Sequence, residues 1–186
     1  MQRPPPPGAV ERHTRAWLAD FVVGLNLCPF ARPLLSSPAL RIRVSAARQP
    51  ADLQRDFLHA LDELQAAPES AIATTLLVFS DALASFEDYL DFVDQAQYLL
   101  EQAGLDGIVQ LASFHPDYRF AGEAEDAASH YSNRAPWPTL HLLREDMVTR
   151  LVTSHPDPEG IPAANIEQLE HLGRKALEAR WLALFR

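Results

Sequence analysis

Cysteine, glycine, lysine and long apolar runs are all scarce in this chain, and each scarcity closes a class of explanation. Cys28 is the only cysteine, so no intramolecular disulfide can form, and the paired thiolates of a structural zinc site are missing. A lone free thiol fits a reducing compartment. The seven glycines are isolated, and none builds GxGxxG or GxxxxGK[ST], which removes the Rossmann and P-loop routes to a nucleotide. No apolar run approaches the roughly 18–20 residues that span a bilayer, and Met1 to Gly8 carries no apolar signal region. The expectation is a cytoplasmic protein with no membrane partner. Basic charge is short as well: 16 Lys and Arg stand against 25 Asp and Glu, a formal net charge of −9, and Lys175 is the one lysine. That balance repels a polyanion, and the arginines are scattered, so nucleic acid is not an expected partner.

What is present reads as one globular domain. A chain of 186 residues, 47% hydrophobic and 22% charged, is long enough to bury a core without staples. The run Pro4–Pro7 predicts a proline-rich arm over residues 1–8, followed by a single domain over 9–186. Val10, Thr14, Trp17, Leu18, Phe21, Val22 and Leu25 follow helical spacing, and Pro29 predicts the end of that helix near Cys28. Arg41–Ala47 alternates as an edge strand would, with Ile42, Val44 and Ala46 on its inner face. Leu53, Phe57, Leu61 and Leu64 mark a second helix, and Ala73–Phe79 is apolar throughout, as in a central strand covered on both faces.

Ser85 is a suitable cap for a third helix that closes at Gly104, ahead of another apolar strand over Ile108–Phe114. Thr139–Leu143 predicts a fourth strand, Glu145–Thr153 a short helix, and Ile166 to Trp181 one long final helix. Strands alternating with helices predict an α/β fold: a three-layer single domain with a mostly parallel or mixed sheet and helices packed on its faces.

Ligands of open α/β sheets bind beyond the carboxyl ends of the strands, and the strand ending at Phe114 runs straight into His115, Asp117, Tyr118 and Arg119. An imidazole, a carboxylate, a phenol and a guanidinium in one turn can move protons and hold an anion. A second polar loop, His130 to Pro138, offers Asn133 and Arg134 beside Trp137, a combination suited to a planar acid or a phosphate. Both loops also read as turns whose polar groups cap one another. Cys28, in Asn26-Leu27-Cys28-Pro29, reads either as a small buried hydrophobe or as a nucleophile activated by a nearby cation. Cys28, His115, Asp117 and His141 comprise the set a metal would draw on, but they lack CxxC, HxxxH or HExxH spacing.

The stretches NLCPFA (26–31), SFHPDYRFAG (113–122), SNRAPWPTLHLLRE (132–145) and NIEQLEHLG (165–173) together resemble an uncharacterised bacterial family, a domain of unknown function of about this length. The resemblance runs from Thr14 onward and implies that Cys28, His115, Asp117, Tyr118, Arg119, Asn133, Arg134 and His141 matter together. It lends no activity and no cofactor. The expectation taken forward is a small-molecule enzyme acting on a carboxylate or phosphate in a pocket between the His115 and Arg134 loops. Arg119 and Arg134 would hold the anion, His115 would act as acid or base oriented by Asp117, and Cys28 would be the nucleophile. Asn26, Tyr118, Asn133 and His141 complete the ligand-binding set. The alternatives are a non-catalytic metabolite-binding module and a metal-binding protein using Cys28 and the histidines.

Overall fold

The computed structural model describes Pro6 and residues 8–186, so the predicted arm lies outside the described residues except at Pro6 and Gly8. Four strands form one sheet: β1 (Leu40–Ser45), β2 (Thr74–Phe79), β3 (Val109–Phe114) and β4 (Thr139–Arg144), in the spatial order β1-β2-β4-β3. β1 and β2 pair in parallel across the helical crossover α3 (Pro50–Ala66), while β4 lies antiparallel to both β2 and β3. Three strands therefore point one way, and β4 is inserted between two of them, which makes the sheet mixed. The strand with the unbroken apolar run, β2, is buried at all six positions, as expected of a strand covered on both faces.

The layers follow from the period of the strands. Leu77, Phe79, Leu140 and Leu142 meet α3 and the second crossover helix α4 (Phe86–Gln102) on one face. On the other face, Leu76, Val78 and Phe114 meet the N-terminal helix α1 (Ala9–Trp17) and the C-terminal pair α6 (Ile161–Leu172) and α7 (Arg174–Ala183). Ser85 caps α4 as expected, its hydroxyl accepting from the Asp88 N–H.

Three local expectations are corrected. The N-terminal helix does not reach Cys28: α1 widens into a π-helical segment, Leu18–Val23, and the chain turns at Asn26, whose φ is 50°. The long C-terminal helix is two helices, because Gly173 takes φ 73° and ψ 152°, a conformation that ends α6 and opens α7 at a bend. On β1, Val44 is 41% exposed while Ser45 is buried, since the Ser45 hydroxyl donates to Asp56 of α3. Two short helices had no predicted counterpart, α2 (Ala31–Leu35) and a 3-10 turn over Ala128–Ser132. The remaining helix, α5 (Glu145–Ser154), starts directly after β4.

One arginine fastens the α3 layer to the sheet. Arg144, at the end of β4, donates to the carbonyls of Leu64, Ala67 and Ile72, so a guanidinium satisfies acceptors at the negative end of α3. Replacing Arg144 by Met keeps the apolar stem and strands those carbonyls. A stability loss of about 2–3 kcal/mol is expected in urea titration, and a loss below about 0.5 kcal/mol would mean that water takes over the acceptors.

Candidate functional site

Between the sheet and its α1–α6 cover lies a cavity of about 760 Å³. Its floor is set by register: Leu76 of β2, His141 of β4 and Ala112 of β3 stand side by side on the same face. Its roof is the π-helical segment with Leu18, Val22 and Val23, and α2, α5 and α6 line its ends. Space is left because small side chains, Ala31, Ala112 and Ala121, stand where larger ones would fill it. The lining is mainly apolar, and no lysine or arginine belongs to it among the described residues.

His141 is the polar centre of the floor. Thr74 Oγ1 lies 2.8 Å from the Leu142 carbonyl oxygen, a separation that two oxygens hold only with a proton between them, so the threonine donates there. His141 Nε2, 2.6 Å from the same Thr74 oxygen, must then carry the ring proton and donate it. Nδ1 is left as a bare lone pair, without a partner among the described residues and open to the cavity. The ring is surrounded by protein yet touches the cavity, and desolvation pulls its pKa down to about 4. At neutral pH it is an acceptor.

Cys28 and Asn133 line the same cavity. Burial pushes the Cys28 thiol up, while the backbone N–H groups of Phe30 and Ala31 pull it the other way with less effect. The Asn133 amide donates to the Ser113 carbonyl and accepts from the Ser132 hydroxyl, tying the 3-10 turn to the end of β3. Asn165 of α6 donates to the Leu27 carbonyl and so joins the roof to the C-terminal layer beside Cys28.

The other expected residues stand elsewhere, and the single convergent pocket is replaced by two separate hollows. Asp117, Arg119 and Arg134 line an open groove of about 690 Å³ together with Glu87, Glu125, Asp126 and Arg174. Arg119 already meets carboxylates there, 3.7 Å from Glu87 and 3.5 Å from Glu125. Arg134 lies over the Tyr131 ring and donates through Nε to the Tyr118 carbonyl. The Tyr118 ring itself packs between Phe86 and Phe120. Asn26 is exposed and supplies a left-handed turn rather than a wall.

His115 has a structural task in this arrangement. It is wholly buried against Phe86 and Tyr89; Nδ1 accepts the Asp117 backbone N–H at 3.0 Å, and Nε2 faces the Leu83 carbonyl at 3.0 Å. Both nitrogens are occupied, and it is the backbone of Asp117, not its carboxylate, that meets the ring. Burial lowers its pKa despite the Leu83 carbonyl and the carboxylates of Asp117 and Glu87. His130 repeats the device, accepting from the Phe120 N–H and facing the Ala124 carbonyl. His115→Leu strands one buried donor and one acceptor, so a loss of about 2–3 kcal/mol in urea stability is expected. A variant as stable as wild type would show the pairing to be dispensable.

Among the described residues no three His, Cys, Asp or Glu side chains gather where they could hold a metal. Cys28 and His141 line the cavity, Asp117 lines the groove and His115 is enclosed between layers. Sequence reasoning did not single out Thr74, Ala112, Ser132 or Asn165. For Thr74 a signal was present, since Thr74 and Thr75 put hydroxyls at the start of an otherwise apolar strand.

The fold and cavity define a single α/β domain with a ligand-sized hollow on one face of its sheet. The chain belongs to the family described as "Protein of unknown function (DUF1415)", whose model matches residues 9–179. No curated protein and no solved structure matches it. Among the described residues no helix is long and apolar enough to cross a membrane.

Proposed function

We propose that this protein binds one small, mainly apolar, uncharged molecule in the cavity above His141, acting as a binding module. The supporting observation is the cavity itself: its volume of about 760 Å³ falls in the range of small-molecule sites, with an apolar wall and few polar groups. Among the described residues its lining holds no cation, which argues against the anionic substrate expected from the loops, because a carboxylate or phosphate moved there would lose hydration with no charge to replace it. The catalytic alternative has less support. Cys28 is held towards its neutral thiol, His141 is held unprotonated, and His115 is engaged on both nitrogens outside this cavity.

The test is titration with N-phenyl-1-naphthylamine, an uncharged fluorophore that brightens in apolar surroundings. One saturable site per chain is expected, with quenching of tryptophan emission, because Trp17 forms part of the wall. Absence of saturable binding at micromolar protein would overturn the reading. Brightening that survives in urea-unfolded protein would do the same.

A further inference from the structure

His141 Nδ1 is an acceptor without a partner among the described residues, at the centre of the cavity floor. We infer that the molecule bound there carries a hydroxyl group, which donates its hydrogen bond to His141 Nδ1, so that the site selects apolar alcohols and phenols over ethers and carboxylates of equal size. The inference rests on the cavity reading and adds the chemistry of the occupant's polar end.

Thr74 is used up, since its single proton goes to Leu142 and its oxygen receives the His141 N–H. That fixes the His141 tautomer from the strand outward, and it leaves the row Leu76, His141 and Ala112 presenting an acceptor and no free donor, Gln110 standing one row away at the exposed edge of the floor. A ligand that enters displaces whatever water meets Nδ1, so a ligand without a donor leaves a buried acceptor unsatisfied. An ether or ketone oxygen placed there would face a lone pair with a lone pair. A carboxylate would add a charge with no cation in the wall among the described residues, and Glu123 already stands in that wall. An O–H completes the chain O–H···Nδ1, Nε2–H···Oγ1, Oγ1–H···O=C, in which every member donates once. The side chains beside that point are Leu76 and Ala112, and Ala112 leaves room for the chain bearing the hydroxyl.

The experiment displaces bound N-phenyl-1-naphthylamine with the isomers 1-octanol and heptyl methyl ether, and with octanoate at pH 8. Octanol is expected to bind about tenfold more tightly than the ether, which has the same atoms and no O–H. Octanoate is expected to bind more weakly than either. In His141→Phe the octanol advantage should vanish while the ether keeps its affinity; in His141→Asn, whose amide oxygen occupies much the same position as Nδ1, part of it should return. Equal affinities of the two isomers in the wild type, or octanoate as the tightest, would overturn the inference and leave the cavity reading standing. Failure of all three to displace the probe would remove both. Should His141→Phe fail to fold, the isomer comparison in the wild type still decides.

Discussion

Ala112→Phe is expected to weaken N-phenyl-1-naphthylamine binding by about 50–100-fold without lowering stability. Ala112 stands beside His141 on the cavity floor, and its methyl group is one of the small side chains that keep the hollow open. A phenyl ring there takes the place of one ring of the ligand. Displacing about 100 Å² of apolar contact at roughly 25 cal/mol per Å² removes about 2.5 kcal/mol, which sets the expected fold-change. The fold itself gains apolar contacts in the same step, so urea stability should stay level or rise by about 1 kcal/mol. That pairing of outcomes separates loss of a site from loss of structure. A variant that binds the probe as wild type does would place the probe elsewhere.

Acidification is expected to remove about 3 kcal/mol of stability between roughly pH 6.5 and 4, most of it through His141. The sign follows from burial. His141 titrates at about 4 when folded, below its ordinary value, so the unfolded chain takes up its proton first as pH falls. Stability is therefore fully present above about pH 6.5 and declines towards 4. His115 and His13 are lowered in the same direction, chiefly by burial, and add to the slope. Asp81, held low by Arg48 and Ser80, acts in the same sense, and its contribution is lost only as the pH falls below the ordinary Asp value. His141→Gln, which keeps a donor towards Thr74 and cannot titrate, should flatten the curve between pH 6.5 and 4. An unchanged slope in that variant would mean that His141 titrates as an ordinary imidazole.

Much of the fold was legible because its elements obey single periods. Ala73–Phe79 reads as a buried central strand from its unbroken apolar run, and Ser85 marks the start of α4 because its hydroxyl caps the next turn. The failures fall where backbone geometry departs from a period. The π-helical widening at Leu18–Val23 keeps Phe21, Val22 and Leu25 buried, so the spacing looks helical beyond the point where the helix ends. Gly173 divides the last helix although the apolar spacing runs through it.

The candidate site was legible in part. Cys28, Asn133 and His141 do share one cavity, whereas the loop that looked richest in chemistry is engaged with protein groups outside it. His130 spends both ring nitrogens on its own loop, and His115 spends one on its own loop and the other on the Leu83 carbonyl between β2 and α4; a sequence shows an imidazole without showing what it already bonds. The cavity left still less trace, because it is made by what is small, Ala31, Ala112 and Ala121, on elements far apart in the chain. His141 was the better signal: an imidazole between Leu140 and Leu142 faces the opposite side of the strand from both.

Nitrogen-15 NMR of histidine-labelled protein during addition of 1-octanol tests the site most directly, because the ring nitrogen of a neutral imidazole shifts strongly when its lone pair accepts a hydrogen bond. One of the seven histidines should respond, at its unprotonated Nδ1, with a signal that is missing in His141→Gln and a saturation curve matching displacement of the fluorophore. Octanol binding that leaves the His141 nitrogens unmoved, or that moves His115 instead, would contradict a ligand site on this cavity floor.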